Sequence, residues 1–236
     1  MNTTRLSALL EKDLKEAIRN PSIIFMPIII LFVSFFYSFI MSEIGNATSA
    51  TILMQFIVVN MAFVMVATAT IITMFAEENE KGTLKGLIET PASKVEILLS
   101  KAIIMTILTI ITTILSLLIL GSSIHFGFQT YIGLVIMLFF YLILGLTLGL
   151  LSNSTGAATT YTMLPFFIFG MIPLFEMMKD VLDLGFFEKV LNWLPFGLVL
   201  ELETNHATLN LIYLMIWLIV SIITLTFVYD YKFRKR

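Results

Sequence analysis

The chain has no cysteine in 236 residues, only two histidines, and charged residues at 13%. Without cysteine there is neither a disulfide framework nor a thiolate zinc site. His125 and His206 lie far apart, and a histidine-based zinc site needs further ligands at compatible spacing. Soluble domains carry about 25% charged residues, roughly twice the share here, so a water-facing surface cannot be covered. A net charge of −2, from 14 Lys+Arg against 16 Asp+Glu, excludes a basic nucleic-acid binder, and the apolar content excludes disorder. No G-x-x-x-x-G-K-[ST] loop is present, so the chain is not expected to hydrolyse nucleotide or to hold a cofactor of its own. Gly121-Ser-Ser-Ile-His125 sets serine near histidine, but no orienting carboxylate accompanies them, and a short polar loop is the reading.

What is abundant is apolar length. Hydrophobic residues make up 58% of the chain and mean hydropathy is +0.99. About 20 apolar residues cross the hydrocarbon layer as a helix. Six spans are expected, at about 22–42, 52–75, 102–121, 131–151, 157–175 and 207–229. The third to fifth come from a 74-residue stretch, Ala102 to Phe175, with no Asp, Glu, Lys or Arg. Polar, glycine-containing breaks at 121–130 and 152–156 divide it. The fold class is therefore an all-α integral membrane protein, one domain over 1–236.

Basic residues set its orientation. Twelve of the 14 fall in the N-terminal segment, the second loop and the tail, while Lys179 and Lys189 alone lie on the other side. Positive loops stay inside, so both termini are expected in the cytoplasm. Residues 1–21 are not a secretory signal, because Glu11, Asp13 and Glu16 interrupt the basic region and the next apolar run is of spanning length. Leu6, Leu9, Leu10, Leu14, Ala17 and Ile18 recur at helical spacing, with Glu11–Lys15 and Lys12–Glu16 as i,i+4 pairs on the wet side. This predicts an amphipathic helix on the inner membrane face; a frayed charged tail is the alternative.

The spans as bounded hold no ionisable Asp, Glu, Lys, Arg or His, which argues against a proton-coupled carrier. Glu77-Glu78 invites comparison with intramembrane proteases bearing paired glutamates followed by arginine, but Gly82 stands where the arginine is needed. The loop over 76–92 is more informative. Gly82 permits a sharp turn, Thr83 is expected to cap a short helix, and Thr90-Pro91 stops it. Leu84, Leu87 and Ile88 share one face, predicting an apolar ridge displayed to the cytoplasm, or else buried in lipid. Ser93 with Glu96 forms a capping box that opens the next helix.

Glu78-x-x-x-Gly82-Thr83-Leu84-x-x-Leu87-x-x-Thr90-Pro91, after the second of six spans, resembles the coupling-helix region of type-2 ABC exporter permeases. Arg19-Asn20-Pro21 and Leu194-Pro195 agree with that family's landmarks. The resemblance implies two paired permeases, the second copy identical or related, each docking its coupling helix on a P-loop ATPase that holds ATP and magnesium. It implies Glu77, Glu78, Glu80, Gly82, Thr83, Leu84, Leu87, Ile88, Thr90 and Pro91 as the ATPase-coupling residues. It also implies an outer re-entrant pair over 176–206, with Gly185 between its helices, Pro195 at its end, and Phe186, Phe187, Trp193 and Pro195 as a gate. A Trp-anchored interfacial helix is the plainer alternative. The acids Glu176, Asp180, Asp183, Glu188, Glu201 and Glu203 would give this segment an acidic face.

Candidate pathway residues are Asn60, Met61, Met65 and Thr68 on the second span, and Thr159, Thr162, Met163 and Phe167 on the fifth. Methionine suits apolar cargo of variable shape, whereas small and hydroxylated residues also serve helix packing. The expected function is export of hydrophobic or amphipathic molecules (drug, antibiotic, peptide or lipid-like) across a bacterial cell membrane. A non-transporting membrane immunity or assembly factor is the alternative from another class.

Overall fold

The computed structural model describes residues 3–44, 48–121, 126–179 and 185–234. Every regular element among them is helical. In chain order these are α1 (Thr3–Arg19), α2 (Pro21–Ile44), α3 (Thr48–Ala62), α4 (Thr70–Glu80), α5 (Thr83–Glu89), α6 (Lys94–Leu120) and α7 (Phe128–Leu151). They continue as α8 (Thr155–Pro165), α9 (Ile172–Met178), α10 (Phe186–Trp193), α11 (Pro195–Thr204) and α12 (Asn210–Arg234). Wide π-helical turns at Phe63–Ala69 and Phe166–Gly170 join α3 to α4 and α8 to α9. Six helical runs are long and apolar enough to span a bilayer, as the composition requires: Pro21–Ser42, Ala50–Glu80, Lys94–Leu120, Phe128–Leu151, Thr155–Met178 and Asn210–Lys232.

The second run is the centre of the bundle, 83% buried, whereas the first and last are 17% and 11% buried. The outer helices can leave Phe25, Phe32, Phe35, Phe36 and Phe39 exposed because lipid is as apolar as the side chains themselves. Close packing at the centre depends on Gly145 and Gly149, one turn apart on α7. A methyl added at Gly145 would lie 3.0 Å from the Thr68 backbone, and one at Gly149 would lie 2.7 Å from the Phe75 ring. The wide turn after α8 follows from sequence too. Pro165 brings no N–H and crowds the preceding turn, and the Met171 amide reaches back five residues to the Phe166 carbonyl, 3.0 Å away.

Two helices run longer than the apolar count suggests. The central run continues to Glu80, and α6 starts at Lys94, where the Ser93–Glu96 capping box forms in both directions at 2.8 and 3.2 Å. These two helices therefore carry Glu77, Glu78, Glu80, Lys94, Glu96 and Lys101 at one end, and the fifth and sixth runs include Glu176, Asp230 and Lys232 near theirs, so the charge-free picture holds only for the middles.

Candidate functional site

The end of α4 is a junction in which four successive residues each hold a different element. Glu77 Oε1 accepts from Asn20 Nδ2 at 2.5 Å, and its other oxygen pairs with Lys81 at 2.8 Å. Asn79 Nδ2 donates to the Ser152 carbonyl at the end of α7, 2.7 Å away. Glu80 accepts from the Thr155 amide and hydroxyl, both at 2.6 Å, and so caps α8.

Glu78 enters a buried ion cluster. Lys101, wholly buried on α6, donates to Glu78 at 2.7 Å and to Asp13 at 3.1 Å, with its ammonium 5.3 Å from the Phe75 ring centre. Ser100 donates to Asp13 at 2.5 Å. Lys12 pairs with Asp13 at 3.0 Å, with Glu16 at 3.2 Å, and with Glu78. Three carboxylates thus share two ammonium groups, and Glu78 Oε2 is buried without a hydrogen bond. The Lys12–Glu16 pair expected on the wet side is part of this cluster, because the face α1 turns to α6 is Leu9, Asp13 and Ala17. Glu11–Lys15 does remain exposed, at 2.6 Å. Leu14 and Ile18 stay exposed as well.

Burial pushes the Asp13 carboxyl up, but the Lys101 and Lys12 ammonium groups and the Ser100 hydroxyl outweigh it and hold the group below its ordinary range. Burial pushes Lys12 down, and Glu78, Asp13 and Glu16 outweigh that, so its ammonium is held above the ordinary range. A depressed carboxylate contributes stability above its unfolded value that is lost as pH falls through the folded one. A raised lysine contributes stability below its unfolded value that is lost as pH rises through the folded one. Melting of the detergent-solubilised chain should be flat from about pH 5 to about pH 9 and fall on both sides, with Asp13→Asn weakening the acid limb.

Next to this cluster stands α5. Gly82 precedes it at φ 71°, a left-handed conformation that glycine adopts without strain. Thr83 is the first helical residue rather than the cap; its hydroxyl donates back to the Glu78 carbonyl at 3.3 Å. The expected cytoplasmic ridge is corrected as well. Leu84 is 1% exposed in the chain's own core, with Leu87 and Ile88 half-buried against it, because the sharp turn at Gly82 folds the apolar face back onto the bundle. The face left open holds Lys85, Gly86 and Glu89. Thr90 turns its hydroxyl to the Leu87 carbonyl at 2.6 Å, and the Pro91 carbonyl accepts from Arg5 of α1 at 2.7 Å. Helix α1 therefore brackets α5, touching the loop beyond it through Arg5 and the α4 end before it through the Lys12–Glu78 pair.

A second polar set lies deep in the bundle. Pro173 cannot donate to the Phe169 carbonyl, so that acceptor is left over, and Asn60 Nδ2 fills it at 3.0 Å. Tyr141 donates to Asn60 Oδ1 at 2.8 Å, and Thr68 donates to the Tyr141 carbonyl at 2.8 Å. Both wide turns are thus stitched to α7.

The six long apolar helices, the short helix between the second and third, and the charged junction behind it agree with one further finding. A family model described as ABC-2 family transporter protein matches residues 43–229. The chain belongs to the ABC-2 transporter family. No curated protein is a match for it. It is a multi-pass membrane protein and the membrane subunit of an ABC transporter, a kind of subunit that is normally not itself catalytic. The match includes Glu78 and Lys101 but begins after Lys12, Asp13 and Glu16, so the ion cluster ties the matched region of this ABC-2 subunit to α1.

The candidate pathway residues divide by exposure. Asn60 and Thr68 are fully buried with their polar groups hydrogen-bonded inside the chain, so here they serve as packing groups. Met65, Thr162 and Met163 line a groove of about 200 Å³ with Met26 of α2, which sequence spacing does not single out. Met61 is half-buried, and Thr159 and Phe167 are exposed.

On the opposite end, Pro195 opens α11 rather than closing the pair, and the described turn between short helices is at Leu194, with Gly185 ahead of α10. Proline is suited to a first helical position because its missing N–H would be unpaired there anyway. Helix α11 is buried from Pro195 to Leu200 and packs on α7 and α12. Trp193 is exposed beside Tyr213, ring centres 4.9 Å apart, while its carbonyl accepts from Trp217 at 2.9 Å. The side chains of Phe186 and Phe187, and His125, Asp180 and Asp183, lie outside the described residues. Glu203 and Glu201 do not form an open acidic face. Glu203 caps α7 through the Gly127 amide at 2.9 Å and the Thr130 hydroxyl at 2.7 Å, and Glu201 accepts from Asn210 at 2.8 Å.

Proposed function

We propose that this chain is the permease subunit of an ATP-driven exporter for hydrophobic or amphipathic molecules, driven by a separate P-loop ATPase that docks on α5. The observation that carries the reading is the placement of α5. It is rooted by Leu84, bracketed by α1, tied to the α4 end by Thr83, and set between two spanning helices that Glu78 and Lys101 lock to each other, while Lys85, Gly86 and Glu89 remain open. A push on such a helix is passed to α4 and α6 without first deforming the loop. Two copies, or this chain with a related one, are paired with two ATPases. The groove beside Met65 and Met163 supplies an adaptable apolar wall for cargo. The α10–α11 pair closes the route on the outer side. Both termini face the cytoplasm of a bacterial cell.

The test is co-purification of the tagged chain with a P-loop ATPase, followed by ATP-dependent transport in vesicles whose proton gradient has been collapsed. Retention and continued transport are expected. Transport that stops with the gradient while ATP hydrolysis continues overturns ATP coupling. A thiol placed at Thr83 should react with an impermeant reagent only after permeabilisation, and one at Asn205 in intact cells; the reverse pattern overturns the orientation.

A further inference from the structure

A groove of about 470 Å³ runs between α6, α7 and α12, and shares no lining residue with the Met65 groove or the ion cluster. On α6 it extends from Val95 to Thr106, twelve residues whose ends lie about 16 Å apart along the helix. That equals about one leaflet of a hydrocarbon layer roughly 30 Å thick. Its other walls are Phe139 and Leu146 of α7 and Leu225 and Tyr229 of α12. The two threonines that reach it are turned away chemically. Thr106 donates to the Ala102 carbonyl at 2.7 Å and Thr226 to the Ile223 carbonyl at 2.8 Å, so both present methyl groups. The groove thus offers carbon over a leaflet's depth.

Its mouth is different. Lys94 precedes Val95 at the start of α6, and Lys232 continues the Leu225–Tyr229 stripe one turn on, where its ammonium reaches Asn153 beyond α7 at 2.7 Å. Asp230 lies one turn beyond Thr226 and beside Tyr229, so it offsets part of this charge. Two lysines from two helices, with one carboxylate, therefore stand just beyond the basic-side end of a slot that is apolar throughout its length.

We propose that this groove binds one anionic phospholipid of the leaflet facing the basic side, an acyl chain lying along α6 and its phosphate between Lys94 and Lys232. The occupant follows from the pairing of leaflet-length carbon walls with positive charge at one end only, an arrangement complementary to a lipid whose headgroup is negative. A protein ridge would need no cation pair at that depth, and a zwitterionic lipid would gain little from one. The site goes beyond the transporter reading and stands whichever cargo is moved. Orientation decides only which leaflet supplies the lipid.

The experiment is native mass spectrometry of the full chain in detergent, offered palmitoyl-oleoyl phosphatidylglycerol and the matching phosphatidylcholine in equal amounts. Near-surface lysines favour anionic lipid by an amount that, for two lysines offset by Asp230, corresponds to about 5-fold, so phosphatidylglycerol should be retained over phosphatidylcholine by roughly that ratio. Lys94→Gln with Lys232→Gln should bring the ratio to about one with melting unchanged. Thr226→Trp, at an exposed lip position, should fill the groove and lose both lipids. Equal retention of the two lipids by the wild-type chain, retention of neither, or a preference that survives the lysine exchanges each overturns the proposal. Because detergent solution has no sidedness and no ATPase, a failure here is separate from a failure of the exporter reading.

Discussion

Lys101→Met is expected to destabilise the chain by about 3–5 kcal/mol, the usual cost of removing one partner from a buried ion pair. The wild-type cluster holds Asp13, Glu16 and Glu78 against Lys12 and Lys101, a formal charge of −1. Loss of Lys101 leaves two carboxylates at 2% side-chain exposure with only half-buried Lys12 between them. For a chain of this length 1 kcal/mol shifts melting by about 2–4 °C, so the midpoint should fall by roughly 6–20 °C. Glu78→Gln should cost much less, because removing an anion moves the cluster toward neutrality. Adding Asp13→Asn and Glu78→Gln to Lys101→Met should recover most of the loss, since the penalty is that of uncompensated charge rather than of lost volume. Thermal melting in detergent checks all three. An unchanged midpoint for Lys101→Met would show that the cluster does not hold α1, α4 and α6 together.

Gly86→Trp is expected to leave insertion and melting unaltered and to abolish retention of the ATPase. Gly86 lies on the open face of α5, and a side chain built there meets nothing within 4 Å. Tryptophan is also a slightly better helix former than glycine, by about half a kcal/mol at most, so the helix itself is not weakened. The indole can therefore act only on a partner. Steric loss at the centre of an interface costs about 2–4 kcal/mol, so affinity should fall by roughly one and a half to three decades. Leu84→Asp is the contrasting variant. It puts a carboxylate into the core at a site 1% exposed, so it should lower melting first and lose the ATPase only as a consequence. Co-purification and melting, measured on both variants, separate the two effects. A Gly86→Trp chain that keeps its ATPase would remove the open face of α5 from docking.

The spans were legible because they depend on composition summed over 20 residues, which one or two side chains do not change. The capping box at Ser93 and Glu96 was legible for the opposite reason, since its partners are three residues apart and form within one turn. The short helix α5 was legible from its Gly82 and Thr90-Pro91 punctuation, but its facing was not. Periodicity shows that Leu84, Leu87 and Ile88 share a side of α5 without saying whether solvent, lipid or the chain itself covers that side. The ion cluster was missed for a related reason. Asp13 and Lys101 are 88 residues apart, and each reads alone as a surface charge flanking an apolar run. The one local hint was Asp13 at the i+4 position from Leu9 and the i−4 position from Ala17, a polar residue on an otherwise apolar stripe.

Sequence by itself thus determined that this protein is an all-helical membrane chain with six spans, which end carries the basic residues, and where the short helix after the second span begins and ends. These follow from hydropathy, charge counts and local backbone preference, each acting within a few turns. Tertiary structure alone decided that Leu84 anchors α5 instead of docking it, that Asn60 repairs a carbonyl orphaned by Pro173, and that Glu78 and Asp13 share the Lys101 ammonium beneath the junction. Those outcomes depend on which helices lie side by side, and a buried charge or an unpaired carbonyl is tolerated only where a distant part of the chain arrives to satisfy it.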